Sequence, residues 1–156
     1  MSDLAGQVLD ACKARGWMVA TAESCTGGMI SAALTDVAGS SAVVDRGFVT
    51  YSYAAKTKML DVSAEMLGEH GAVSEPVAQQ MALGALAASN ADLSVAVTGV
   101  AGPGADGTKP EGMVWFALAT KDGVQTLEKQ FGALGRANVR AATVEVALKL
   151  LLDATT

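Results

Sequence analysis

The sequence predicts an α/β protein, a three-layer α/β/α sandwich around a mixed sheet. Three observations predict it. Strand-length apolar runs alternate with helical stretches from Leu4 to Thr98, the pattern of crossover units. A hairpin signal, Lys121-Asp122-Gly123, joins two strand-like runs near the end and adds antiparallel pairing to an otherwise parallel sheet. The composition is 51% hydrophobic but only 4% aromatic, so Ala, Val, Leu and Gly fill an interior suited to close packing of helices on a sheet.

Each element has its own signal. Leu4, Val8, Leu9, Ala11 and Cys12 recur at helical spacing, and Gly16 is a stop. Trp17 to Ala22 reads as a buried strand. A turn over Glu23–Gly28 follows, then a helix from Met29 that ends near Gly39-Ser40. Val43-Val44 and Phe48 to Tyr51 read as a second strand, and Gly47 inside it marks a bulge or a close backbone approach. Ser52 caps a short helix through Lys58, and Ser63 to Leu67 is another, ending near Gly68 to Gly71. Ser74-Glu75-Pro76 opens a long helix to Ser89, with proline in its first turn. Leu93 to Thr98 is a strand, Gly99 to Gly112 a Gly/Pro-rich loop, and Met113 to Ala119 and Gly123 to Phe131 the hairpin. Arg136 to Leu152 closes the chain as an amphipathic helix. Methionines 29, 59, 66, 81 and 113 read as core filling.

Length and charge limit the function. A chain of 156 residues is read as one domain, 1–156, and at this size it buries ~68–70% of its unfolded surface. Net charge is −5 and no Lys/Arg cluster or aromatic platform is visible, which argues against a nucleic-acid partner. No apolar stretch reaches ~18 residues, so no membrane span is expected. The start of the chain does not read as a secretory signal. Cys12 and Cys25 make neither a metal spacing nor a disulfide framework, and a reducing cytoplasm is the expected compartment. Ala-rich helix faces leave a homo-oligomer open.

The chemistry centres on Glu23-Ser24-Cys25-Thr26-Gly27-Gly28, where a strand becomes a helix. Unpaired N–H groups and the helix dipole there favour an oxyanion or phosphate. The arrangement resembles a nucleophile elbow without its usual Gly-x-Ser-x-Gly spelling. Ser24 and Cys25 compete as nucleophile, since a thiol at a helix N-terminus gains acidity. The chain has one histidine, His70, which falls at a helix end and reads as a surface or capping residue. Any serine nucleophile therefore needs another base. Lys56, in the first turn of the short helix and near Lys58, is the candidate, because dipole, like charge and burial all favour its neutral form. Tyr51 just before it is a candidate to relay the proton or hold the hydroxyl. The competing reading is a solvated lysine and a packed tyrosine. Gly99 to Lys109 fits neither the dinucleotide fingerprint nor the P-loop, yet its glycines let a ligand reach bare backbone, with Thr98 as a contact.

These residues also resemble a known family. Thr21–Gly28, Arg46–Ser52 with Ala55-Lys56, Gly71–Pro76, and Thr98–Pro103 with Lys109-Pro110 and Val114–Ala117 are similar, in order, to motifs of the CinA carboxy-terminal domain family. The match runs from about residue 5 to residue 150 and covers nearly the whole chain. The resemblance implies an α/β/α fold and hydrolysis of nicotinamide mononucleotide to nicotinate mononucleotide and ammonia, in bacterial pyridine-nucleotide recycling. It implies a serine nucleophile assisted by Lys and Tyr, which map onto Ser24, Lys56 and Tyr51, with no metal and no cofactor. It also implies a stand-alone amidohydrolase, without the extra amino-terminal domain of many relatives. Glu23, Thr26, Gly27, Gly28, Arg46, Thr98, Gly99, Ala101 and Gly102 are the expected substrate contacts, and N–H groups of Thr26 to Gly28 the expected oxyanion donors. Two places depart from the pattern: Glu111, where relatives often carry an apolar residue, and Gly132-Ala133-Leu134-Gly135-Arg136, a loosened Gly-Asp-Arg segment. A silent nucleotide-binding module and an amidase for another small amide are the alternatives.

Overall fold

The computed structural model describes residues 3–156. Its elements are α1 (Leu4–Arg15), β1 (Val19–Glu23), α2 (Met29–Thr35), β2 (Val44–Val49), α3 (Tyr53–Leu60), α4 (Ala64–His70), α5 (Glu75–Ala87), β3 (Leu93–Gly99), β4 (Met113–Thr120), β5 (Gly123–Gln130) and α6 (Arg136–Thr155). The sheet order is β2-β1-β3-β4-β5. β1 is parallel to both β2 and β3, while β3–β4 and β4–β5 are antiparallel, so the expected mixed sheet forms.

Residue size divides the two faces of the sheet. Val19, Leu93, Val95, Val97, Val114, Phe116 and Leu118 face one way and bury against Val8, Leu9 and Cys12 of α1, Ile30 and Leu34 of α2, and Val139, Leu148 and Leu151 of α6. Ala20, Ala22, Ala96, Ala117 and Ala119 face the other way, against α5 and the ends of α3 and α4. Alternating side chains make this possible. The alanine face lets α5 sit so close that Ser94 on β3 donates a hydrogen bond to the Ala82 carbonyl at 2.6 Å. Few aromatics are needed because the layers approach through small residues.

Local chemistry sets the helix ends. Asp3, Ser52 and Ser63 each accept a bond from a first-turn N–H of α1, α3 and α4. Ser74 precedes α5 but does not cap it; its hydroxyl donates to the Gly71 carbonyl at 2.9 Å. Several limits differ from the sequence reading. α2 stops at Thr35, α3 runs to Leu60, α6 reaches Thr155, and β2 is one strand that ends before Thr50. Met81 is fully buried, but Met59 is 45% exposed and fills no core. The bulge in β2 falls at Asp45, between the pairs Val19–Val44 and Ala20–Arg46. Gly47 is instead the close approach: a Cβ there would press on the Ser31 and Thr21 hydroxyls.

Candidate active site

The pocket lies beyond the carboxyl ends of β1 and β3, where the sheet order reverses direction. Open α/β sheets bind ligands at such a switch point. Its volume is about 310 Å³, and the segments that follow β1 and β3 both line it.

The segment after β1 is built around one carboxylate. Glu23 is completely buried and accepts bonds from the Thr26 hydroxyl at 2.6 Å, Ile30 N–H at 2.8 Å and Ser31 N–H at 3.0 Å. Alternation along β1 points its side chain to the α2 side, at the first turn of that helix. Ser24 N–H donates to Val97 on β3, and Gly27 N–H returns to the Ser24 carbonyl. Gly27 and Gly28 take φ of 57° and 106°, which permits the reversal into α2. From α6, Arg140 donates to the Cys25 and Thr26 carbonyls at 3.0 and 3.2 Å. Glu23, Thr26, Gly27 and Gly28 are therefore the frame of the elbow, and none of them lines the pocket. The anion place at the start of α2 is filled by the chain's own carboxylate. Of the expected oxyanion donors, Gly27 N–H is already spent. Cys25 N–H, beside the pocket, has no hydrogen bond to another residue among the described residues.

Lys56 is 1% exposed, the largest of the fully buried side chains. Its Nζ lies 2.9 Å from Ser24 Oγ, 2.8 Å from the Thr50 carbonyl and 3.4 Å from the Tyr51 carbonyl. No carboxylate pairs with it among the described residues. Burial without a counter-charge lowers its pKa from 10.5 to about 8. A neutral amine has two N–H groups and one lone pair. The two carbonyls take the N–H groups, which leaves the lone pair facing the Ser24 hydroxyl. Cys25 packs into the core at 4% exposure, and burial pushes its thiol up to about 11. The structure thus brings Ser24, and not Cys25, against the amine.

The segment after β3 forms the facing wall. Thr98, 1% exposed, donates to the Ala72 carbonyl at 2.9 Å. Gly99, Ala101 and Gly102 line the pocket, and the Ala101 and Gly102 N–H groups are unpaired among the described residues. Tyr51 stands at the mouth, 60% exposed; its hydroxyl accepts a bond from Arg136 at 2.8 Å and bonds neither Ser24 nor Lys56. Arg136 also donates to the Gly102 carbonyl at 2.7 Å. Sequence reading marked Arg136 only as part of a loosened segment, because nothing local connects it with Tyr51 85 residues away.

Arg46 does not reach the pocket. Its guanidinium bonds the neighbouring Asp45 at 2.8 Å and the Ala88 carbonyl at 3.1 Å. The bulge at Asp45 sets Arg46 opposite Ala20, and so on the α5 side of the sheet. His70 sits in the last turn of α4 with its side chain exposed and outside the pocket that Ser24 lines; Gly71 is the cap. Among the described residues no group of three His, Cys, Asp or Glu could hold a metal ion. No helix there is long and apolar enough to cross a membrane.

Comparison with known proteins identifies the family and the fold. The model of the CinA C-terminal domain matches residues 1–155. The chain is 55% identical to nicotinamide-nucleotide amidohydrolase PncC of Enterobacter agglomerans, over 84% of this chain and 81% of that protein. It is 49% identical to PncC of Escherichia coli strain K12, over 97% and 92%. Among solved structures, competence/damage inducible protein CihA from Agrobacterium tumefaciens superposes with a TM-score of 0.95 at 48% identity, covering 100% of this chain and 98% of that one.

Proposed function

The chain belongs to the CinA C-terminal domain family, and we propose that it hydrolyses the carboxamide of nicotinamide mononucleotide, giving nicotinate mononucleotide and ammonia. The observation that carries the mechanism is the 2.9 Å approach of a buried amine, without a carboxylate partner among the described residues, to the Ser24 hydroxyl. Neutral Lys56 takes the hydroxyl proton as Ser24 Oγ attacks the carboxamide carbon. Cys25 N–H, the amide immediately after the nucleophile, receives the developing oxyanion. Lys56 gives its proton to the leaving nitrogen, the C–N bond breaks, and ammonia departs. Water then attacks the acyl-serine ester and loses a proton to Lys56. The C–Oγ bond breaks as Lys56 returns that proton to Ser24 Oγ, which restores the hydroxyl and the neutral amine, and the acid leaves. Proton transfer by a positioned group contributes ~10²–10⁴-fold, and one oxyanion donor ~10²–10³-fold.

The rest of the pocket fits a nucleotide. Arg136 offers a fixed cation at the mouth, in line with an anionic phosphate, and the free Ala101 and Gly102 N–H groups add donors. Thr98, Gly99 and Tyr51 border the space between phosphate and carboxamide. Tyr51 acts on the substrate side, with Arg136, and the Ser24 proton passes directly to Lys56. The cysteine usage fits a reducing cytoplasm, and the family resemblance implies a place in pyridine-nucleotide recycling.

Ammonia release from nicotinamide mononucleotide tests the proposal, with free nicotinamide and other small amides as controls. Release from the nucleotide, and little from free nicotinamide, is expected. No release from the nucleotide would overturn the reading, and faster release from a different amide would reassign the substrate.

A further inference from the structure

We propose that Glu111 is a positioning residue, a carboxylate strut that sets the separation between the loop after β3 and the start of α6. Its Oε1 accepts from Gly104 N–H at 2.7 Å, and its Oε2 from Gly135 N–H at 3.3 Å. No cation pairs with it among the described residues, so these two amides are its partners. Its stem fills the space below Gly102, where a Cβ would come within 2.5 Å of Glu111 Cδ. The residue is firmly rooted. Gly112 N–H bonds the Val100 carbonyl and Val100 N–H bonds the Met113 carbonyl, which extends the β3–β4 pairing to its foot. From that base it joins two parts of the pocket far apart in sequence. Gly104 belongs to the wall that carries Ala101 and Gly102. Gly135 immediately precedes Arg136, which itself bonds Gly102 and Tyr51. Glu111 does not line the pocket, so its effect on substrate passes through these neighbours. An apolar side chain, expected here from the family resemblance, could fill the space but could not hold both amides.

The kinetic consequence rests on the proposed amidohydrolase reading: the strut pre-forms the phosphate end and leaves Ser24 and Lys56 untouched. Glu111→Leu keeps the volume and removes both acceptors, whereas Glu111→Gln keeps one oxygen for Gly104. Hydrogen exchange read at Gly104 and Gly135 tests the strut without any substrate. In Glu111→Leu both amides should exchange about 10-fold faster or more, with the β3–β4 amides unchanged. KM for nicotinamide mononucleotide should rise about 10-fold with kcat within about two-fold, and Glu111→Gln should recover most of the loss. Unchanged exchange at both glycines overturns the strut. A fall in kcat at constant KM overturns the positioning role. If the unsubstituted protein releases no ammonia from the nucleotide, the amidohydrolase reading fails and the exchange result alone decides the strut.

Discussion

Replacing Lys56 by methionine separates the chemistry of the buried amine from its cost to the fold. Methionine matches the stem in length and apolarity but can neither take nor give a proton. Turnover should fall by ~10³-fold or more, since the base and the acid of the cycle are lost together. Stability should move with pH in a way that only a lysine of depressed pKa produces. In the unfolded chain Lys56 titrates at 10.5, and in the fold at about 8. Below about 8 both states hold the proton and the group adds no slope. Between the two values the unfolded chain binds more protons, so native stability rises with pH. The full gain is ~3 kcal/mol, of which ~2 kcal/mol falls between about pH 6.5 and pH 9.5. The variant lacks this gain. It also leaves the Thr50 carbonyl without its lysine donor, at ~1–3 kcal/mol, but that loss is independent of pH and cancels when one pH is compared with the other. Urea denaturation of both proteins at the two pH values measures the difference. In thermal scans the same quantity is a shift of ~4–8 °C in the Tm gap, for a domain of this size. A gap that stays constant across this range would refute the depressed lysine, and with it the base assigned to Ser24. The unsubstituted enzyme should show the kinetic counterpart, a kcat/KM that climbs with pH through about 8 and then levels.

Ser24→Ala should reduce ammonia release ~10³-fold or more, while Cys25→Ala retains most of it; the opposite ranking would move the nucleophile to the thiol. Glu23→Gln puts an amide NH₂ among the donors of Thr26, Ile30 and Ser31, and should cost ~2–4 kcal/mol in urea denaturation with loss of turnover. Undiminished stability would mean that the carboxylate does not frame the elbow. The two arginines should behave differently. Arg136→Ala should raise KM for nicotinamide mononucleotide ~10-fold or more, whereas Arg46→Ala should leave KM within about two-fold. Equal effects on steady-state kinetics would contradict the assignment of the phosphate end.

The sequence by itself determined the layers, the order of the elements and the place of the elbow. Those depend on short-range periodicity and on turn and cap chemistry, as with Gly16 after α1 and Ser52 before α3. It also brought Lys56 forward as a base, because a single histidine at a helix end left few alternatives. Only the tertiary structure decided which polar side chains meet. Glu23 lies inside the most informative motif, yet it points into α2, because alternation and register choose the face a strand residue occupies. One extra residue at Asp45 sent Arg46 to the α5 side, and a distant helix supplied Arg136 in its place. The burial that lowers the pKa of Lys56 is likewise a property of the closed fold, since it requires segments that carry Ser24 and Lys56, 32 residues apart, to pack around the amine.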